Sequence, residues 1–433
     1  MTKETILNSV SEHGLEFVQL FFTDVEGVFK HLELPITQIE KILNNETMFD
    51  GSSINGFTKI EASDMMLFPD LNTWKVDLDE KVGLFICDVH YPDGRPFEGD
   101  PRNVLKRSIE KATNKGFTSF NVGPEPEFFL FLKEGNQLVP NDNGGYFDVA
   151  PLDKTVTIRR EITKALQRLG LEVEALHHEV AIGQHEIDWK YAPGLQTADN
   201  IQLFKYTVKT IAEKYGLVAT FMPKPIFGEN GSGMHCHMSL GNDNGNAFYD
   251  EHDSIGLSET ARQFIAGVLT HARANASVTN PTVNSYKRLV PGYEAPVYVA
   301  WSQSNRTCTI RIPAARGAGT RIEVRNPDPS ANPYLALAVL LSAGLDGIER
   351  KLTPPTERSE NLYLMDDATR KAEGIETLPG SLLEAVSELE NSEFLQQVLG
   401  KHVFYSFLQN KKEEWDAYRL RVSEWEKETY LNC

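Results

Sequence analysis

The sequence has 433 residues, 41% of them hydrophobic, and a formal net charge of -18. That length buries a large core and suggests two domains, while the acidic balance argues against a nucleic-acid partner, because phosphate backbones are held chiefly by Lys and Arg. No apolar run reaches the roughly 18 residues that cross a bilayer, and MTKETILNSV has no charged leader followed by an apolar stretch; a cytoplasmic, unprocessed chain with no membrane partner is expected.

Residues 16–34, EFVQLFFTDVEGVFKHLEL, alternate around an Asp-Val-Glu-Gly turn and predict a β-hairpin. A short helix from about Thr37 to Leu43 follows, and VGLFICDVH (82–90) reads as a strand. YPDGRPFEGDP (91–101) has the Pro and Gly content of an interdomain linker, which places a boundary near residue 100 and divides the chain into 1–100 and 101–433. Asp100 then caps a helix with Pro101 at its first position, Leu105, Ile109 and Ala112 on one face and Gly116 as its stop. Further helical segments at about 155–169, 198–215, 258–276 and 333–350 alternate with strand-like ones, without an internal repeat, so the class is α+β or α/β. From Glu393 to Leu431, Phe404, Phe407, Trp415, Tyr418, Val422 and Trp425 recur at helical spacing and are expected in the core. Cys87, Cys236, Cys308 and Cys433 lack CxxC or zinc-finger spacing, which fits a reducing compartment, with most of them acting as small buried hydrophobes.

The chemistry concentrates in a few strands. In NVGPEPEFFLF, Glu125 and Glu127 are two apart, so a strand projects both from one face, beside Phe128, Phe129, Leu130 and Phe131. An unpaired charge there is costly, and two parallel carboxylates repel unless a cation lies between them. EVEALHHEVAIGQHEIDWKY adds Glu174, Glu179 and Glu186 beside His177, His178 and His185; GENGSGMHCHMSL adds His235 and His237 after a Gly-rich loop; RIEVR adds Glu323. Between Asn280 and Tyr334, Arg288, Arg306, Arg311, Arg316, Arg321 and Arg325 sit among buried-strand residues such as Val297, Trp301 and Ile310, so several should share a pocket that wants an anion. Oxygen-rich ligation favours Mg²⁺ or Mn²⁺ over zinc. With no P-loop or kinase-type Gly-rich set, the residues by themselves reach a metal-dependent phosphoryl-transfer or hydrolase site.

Taken in order, MFDGSSINGF (48–57), GPEPEFFLF (123–131), HHEVAIGQHEID (177–188), MPKPIFGENGSGMHCHMSL (222–240), NPTVNSYKRLVPGYEAP (280–296), NRTCTIRIP (305–313) and RIEVRNPDPSANPYLA (321–336) closely resemble the glutamine synthetase family, specifically its bacterial type I members. The resemblance implies an α+β chain: a small amino-terminal β-grasp-like domain, then a catalytic domain with a curved antiparallel sheet and flanking helices. It further implies a homo-dodecamer of two stacked hexameric rings with active sites shared between neighbours. The implied reaction ligates ammonia to the γ-carboxylate of L-glutamate with ATP, through a γ-glutamyl phosphate. By motif, Glu127, Glu179 and Glu186 correspond to the ligands of one Mg²⁺ or Mn²⁺, and Glu125, His235 and Glu323 to those of a second. Glu174, His237, Ser239, Arg306 and Arg311 correspond to nucleotide contacts. Asn230, Gly231, Arg288, Glu294, Arg306 and Arg325 correspond to the glutamate site, with Glu294 on a flap and Asp50 the acid for ammonium; Asp50, Glu294, Arg306 and Arg325 are the implied catalytic set.

Two rivals stand beside this reading: a γ-glutamyl ligase for a larger amine such as a polyamine, and a non-enzymatic assembly or regulator-binding protein on the same fold. Asp50 favours ammonium over a larger amine, and the complete ligand set disfavours the second rival. Lys59 occupies a position where similar short type I enzymes often carry an Arg linked to glutamine feedback. Tyr363, in ENLYLMDD, lacks the Asp-Leu-Pro that follows the modified tyrosine of adenylylated relatives, so control by feedback or nitrogen-regulatory proteins is expected instead.

Overall fold

The computed structural model describes residues 1–58, 60, 63–77 and 79–433. After α1 (Lys3–His13), β1 (Phe17–Thr23) and β2 (Phe29–Pro35) form the expected antiparallel hairpin. Its turn is tied by Val28 N–H donating to Asp24 Oδ1 at 2.9 Å. Gly27 in that turn has φ +84°, and a Cβ there would lie 2.9 Å from the Asn332 Cα, so the close approach requires glycine. The helix expected at 37–43 is a 3₁₀ turn, Ile36–Gln38, running into α2 (Ile39–Leu43). With β3 (Thr47–Asp50), β4 (Asp64–Pro69), β5 (Lys75–Asp77) and β6 (Val82–His90), the hairpin completes a six-stranded sheet of order β2-β1-β6-β4-β3, β5 pairing β6 and β1 running parallel to β6. This is the β-grasp unit.

The helix α3 (Pro101–Asn114) begins at the predicted cap, where Asp100 Oδ1 accepts from Arg102 N–H at 2.9 Å. The same buried carboxyl also accepts from Val89 N–H at 3.1 Å, so the cap joins helix to sheet; burial and neighbouring Asp88 push it up to about 7. Arg102 reaches back to Asp70 at 2.8 Å and Asp88 at 2.7 Å, and forward to Asp199 at 2.9 Å, to which the Tyr334 hydroxyl donates at 2.7 Å. Asn332 donates to Asp24 and Val25 carbonyls, and Gln202 to Thr23 and Gly27. The hairpin tip and the β4–β6 region of the first sheet are thereby fastened to the larger body.

That body is built on two sheets. The first contains β7 (Ser119–Pro126), and the second β8 (Phe128–Glu134) and β9 (Gln137–Pro140). After α4 (Val156–Arg168), β10 (Val173–His178) and β11 (Gln184–Trp189) join β8, and β12 (Ala192–Pro193) joins β7. The 21-residue α5 (Gly194–Lys214) precedes β13 (Leu217–Thr220), β14 (Met234–Asn242) and β15 (Gly245–Asn246). Helices α6 (Glu259–Thr270), α7 (Ala272–Thr279) and α8 (Ser285–Arg288) then lead to β16 (Tyr298–Ser302), β17 (Cys308–Arg311) and β18 (Ile322–Val324). The seven-stranded sheet runs β12-β7-β14-β18-β17-β16 with β15 on β14, and the five-stranded one β10-β11-β8-β13 with β9 on β8. Pairing is antiparallel except between β16 and β17. Consecutive strands β7 and β8 belong to different sheets, and the residue between them is Glu127.

Behind the sheets, α9 (Pro333–Glu349) is apolar all round and buried from Pro333 to Leu345. It packs so closely on α6 that a Cβ on Gly267 would stand 2.1 Å from the Ala343 carbonyl oxygen. The expectation of a core-packed carboxy terminus holds for half of it. After α10 (Asp367–Ala372) and α11 (Leu382–Glu390), α12 (Glu393–Arg419) buries Phe404 and Phe407 and half-buries Trp415, but Tyr418, Val422 and Trp425 are exposed, the last on α13 (Glu424–Tyr430). Past residue 415 the spacing continues, but among the described residues it leaves these three side chains exposed. Cys87, Cys236 and Cys308 are buried and Cys433 is exposed. Among the described residues no helix is long and apolar enough to cross a membrane.

Candidate active site

Two adjoining cavities open where the sheets meet. One, of about 600 Å³, is lined by Glu125, Glu127, Glu179, Glu186, His235 and Glu323, and also by Asn230, Gly231, Arg288, Glu294, Arg306, Arg311 and Arg325. The other, of about 590 Å³, is lined by Glu174, His237, Ser239 and Arg321 and shares Glu125 and Asp188 with the first. The register explains the division: β14 lies between β7 and β18, with His235 opposite Glu125 and His237 opposite Glu323. A two-residue step along β14 therefore carries an imidazole from one cavity to the next.

Glu125, His235 and Glu323 bring ligand atoms within 4.8 Å of one another. His235 Nδ1 is 3.3 Å from Glu125 Oε2 and 3.6 Å from Glu323 Oε1. Burial alone would raise Glu125, yet the His235 and His237 imidazoles hold it below the ordinary carboxylate range. Glu323, fully buried, is likewise held low against its burial by Arg325 and His235, with Arg311 adding to the effect; both guanidinium groups bond its carboxylate directly. Burial, then Arg325, push His235 down to about 4, leaving a neutral imidazole suited to ligation.

The second acidic group behaves differently. Burial and the charges of Glu179 and Glu186 push Glu127 well up; burial, Asp188 and Glu125 do the same to Glu186; Glu179 is raised mainly by burial. His177 stands between them, 3.5 Å from Glu179 Oε1 and 3.4 Å from Glu186 Oε1. Glu186 converges with His177 and Asp188 within 4.8 Å, while Glu127 and Glu179 line the same wall. Crowded buried carboxylates with one nearby imidazole form a hard donor set, and they fit a divalent cation with a preference for oxygen. A third grouping, Asp142, His178 and His185, lies outside both cavities; Arg159 Nη1 is 3.0 Å from His185 Nδ1, and a cation already in contact makes this a hydrogen-bond network and a poor metal site.

Of the six arginines singled out, Arg288, Arg306, Arg311 and Arg325 share the first cavity and Arg321 lines the second, where its Nε donates to His237 Nδ1 at 3.1 Å. Arg316 belongs to neither: it bonds the Ile255, Pro313 and Ala315 carbonyls. Arg311, matched to nucleotide by resemblance, lines the first cavity. Glu294 adopts φ +58°, a left-handed conformation unusual outside glycine. Its neighbours are pinned, Tyr293 under Lys224 Nζ at 3.8 Å from the ring centre and the Ala295 carbonyl by the Tyr363 hydroxyl at 2.6 Å. Burial pushes the Tyr363 phenol up to about 12. Asp50, at the end of β3, lines neither cavity of its own chain; its Oδ1 accepts from Ser52 N–H at 2.8 Å. Lys59 lies outside the described residues.

Sequence reading passed over Tyr146, Phe147, Gln184 and Asp188 in the first cavity and Tyr191 in the second. Asp188 carried a signal: it is two residues beyond Glu186 on β11, the spacing that drew attention to Glu125 and Glu127. Burial, then Glu125, push it up to about 7. The stacked Tyr146 and Phe147 rings, 4.1 Å apart, sit in a loop whose sequence has no periodicity to read.

The model of the glutamine synthetase β-grasp domain matches residues 14–92, and that of the glutamine synthetase catalytic domain matches residues 98–430. The chain belongs to the glutamine synthetase family. It is 56% identical to a glutamine synthetase of Clostridium saccharobutylicum over 438 aligned residues, covering 100% of this chain and 99% of the relative. A glutamine synthetase of Thermus thermophilus is also 56% identical, over 99% of both chains. Among solved structures, a GmaS/ADP complex superposes with a TM-score of 0.90 at 36% identity, over 98% of this chain and 99% of the other. The Plasmodium falciparum glutamine synthetase, solved by cryo-electron microscopy, gives 0.89 at 27% identity over 99% of both.

Proposed function

We propose that the chain ligates ammonia to the γ-carboxylate of L-glutamate at the expense of ATP, through γ-glutamyl phosphate, releasing L-glutamine, ADP and phosphate. The observation that carries this is one cavity lined both by the acidic ligand groups and by four arginines, two of which, Arg311 and Arg325, bond Glu323 directly. Glu127, Glu179 and Glu186 would hold one divalent cation, Mg²⁺ or Mn²⁺, and Glu125, His235 and Glu323 a second. When bound, the cations neutralise phosphate oxygens and orient the carboxylate.

The chain's own groups supply the rest. Glu174, His237 and Ser239 hold the nucleotide in the second cavity, so that its terminal phosphate faces Glu125 and the boundary between cavities. Arg288, Asn230 and Gly231 seat glutamate. A carboxylate is a poor electrophile until phosphorylated, and charge builds on the transferring oxygens; Arg306, Arg311 and Arg325 supply the positive charge that meets it. Glu294, on the segment pinned by Tyr363, closes over the site and excludes water, which would otherwise hydrolyse the acyl phosphate. Ammonium must lose a proton before it attacks, and Asp50 is the base we assign, with Glu294 nearby.

Because Asp50 lines neither cavity of its own chain, we assign it to the active site of a neighbouring subunit, in a homo-dodecamer of two stacked hexameric rings. The domains divide near residue 100, and regulation falls to glutamine or nitrogen-regulatory proteins acting near the flap, not to adenylylation of Tyr363. Co-assembly of Asp50→Ala and Arg311→Ala chains should restore about a quarter of the junctions by random assortment; mixed rings as inactive as either parent would place the whole site within one chain. The reaction itself is tested by phosphate release with ammonium against a panel of amines. Release dependent on a larger amine and indifferent to ammonium would overturn the assignment.

A further inference from the structure

We propose that Gln184 is a positioning residue that couples the metal-ligand wall to the glutamate loop, an inference that rests on the reading of the site given above. Gln184 opens β11 and is 1% exposed. Its carboxamide nitrogen donates to Glu127 Oε2 at 2.8 Å and to the Gly231 carbonyl at 3.2 Å, and stands 3.4 Å from Ser232 Oγ. Its carboxamide oxygen accepts from Ala181 N–H at 3.2 Å. The main chain adds a second hold, since the Gln184 carbonyl accepts from Glu179 N–H at 2.8 Å.

A carboxamide offers two N–H donors at a fixed angle, and here one is committed to an acid of the ligand wall and the other to the substrate loop. The Gly233 N–H donates to the same Glu127 oxygen at 3.0 Å, so Oε2 is saturated by neutral donors and Oε1 is left for the cavity. A shift of the 230–233 loop therefore alters the orientation of Glu127, and a shift of Glu127 alters the loop. Buried amides are normally bonded, but this one divides its bonds between the two parts of the site that must be filled together. Partners that orient ligands in this way commonly change metal affinity by roughly 10- to 100-fold when removed.

Mn²⁺ binding to the metal-free full-length protein, followed by electron paramagnetic resonance of free Mn²⁺ with and without saturating L-glutamate, tests the coupling. In the unaltered protein glutamate should tighten Mn²⁺, and Mn²⁺ glutamate, by one common factor. Gln184→Met, of similar volume and without donors, should weaken Mn²⁺ about 10-fold and bring that common factor close to one, with thermal melting of the metal-free protein retained. Gln184→Asn, too short to span Glu127 and Gly231, should lose the factor as well, which keeps the test open if the Met variant fails to fold. A coupling factor unchanged in either folded variant overturns the inference. Failure of the unaltered protein to bind Mn²⁺ would overturn the site reading along with it.

Discussion

Glu323 and Glu186 line the same cavity from different sheets, both deep in the fold, and they meet opposite surroundings. Glu323 is held by Arg311 and Arg325 and stays ionised, whereas Glu186 faces Asp188, Glu125 and Glu179, with His177 at 3.4 Å, and is pushed towards its neutral form. One half of the site has its counter-charge built into the chain. The other has no such counter-charge, and its acids are raised, because an uncompensated buried carboxylate costs more than a protonated one. The lesson is that burial alone does not decide the state of an active-site acid; the charges within reach of it do.

The sharpest way to break this contrast is to remove one acid from the uncompensated half. Glu186→Ala should cut glutamine synthesis by on the order of 10³, several kcal/mol of lost charge stabilisation, with the assembly intact; near-normal turnover and metal content would end the assignment. In the compensated half the larger effect should be on stability. Glu323→Gln leaves two arginines facing a neutral amide and should destabilise the metal-free protein by about 3 kcal/mol, whereas Glu186→Gln should leave its denaturation midpoint unchanged or raise it. Equal midpoints for the two variants would erase the distinction.

The pH dependence is the next smaller effect. Glu127, Glu179, Glu186 and Asp188 are all raised in the fold, Asp188 to about 7, so the folded protein binds protons that the unfolded chain releases from about pH 4 upward. Their contribution to stability is present below the ordinary carboxylate value and is lost as pH rises through the raised ones. The metal-free protein should thus melt lower at about pH 8 than at about pH 6. Mn²⁺ should bind with proton release and tighten by up to ~10-fold per pH unit for each proton displaced, measured by calorimetry in buffers of different ionisation heat. A flat affinity over that window would contradict the protonated state. The smallest expected effect serves as a control outside both clusters: Tyr363→Phe removes one hydrogen bond to the flap, worth about 1 kcal/mol, and should raise the KM for glutamate several-fold without changing Mn²⁺ affinity.

The hairpin and the Asp100 cap were legible because each depends on local rules, alternation and a capping residue, whereas the grouping of Glu125, His235 and Glu323, which lie on three strands, came from the family resemblance. From the residues alone, the separation of Glu127 from Glu125 was not legible. A strand reading puts Glu125 and Glu127 on one continuous face, but the chain changes sheets between Pro126 and Phe128, a property of the tertiary arrangement that no local period encodes. Arg316 and the exposed Trp425 failed for a related reason. Spacing identifies a face, but only the neighbouring elements decide whether anything lies against it. Gln184 escaped notice because an amide carries no charge to mark it out.

The Arg102 hub has a consequence for building hybrids of this protein. Its guanidinium gathers Asp70 and Asp88 from the amino-terminal sheet and Asp199 from the large body. A grafted amino-terminal half would satisfy this buried guanidinium only if it arrived with acids at both of those positions. With one missing, Arg102 would keep a single foreign contact, and the graft would lean on its other ties, Asp24 and Val25 to Asn332, Thr23 and Gly27 to Gln202, and Glu26 to Lys411. The tolerance of this protein to exchange of its first hundred or so residues should therefore follow two aspartates remote from the chemistry more closely than overall sequence similarity.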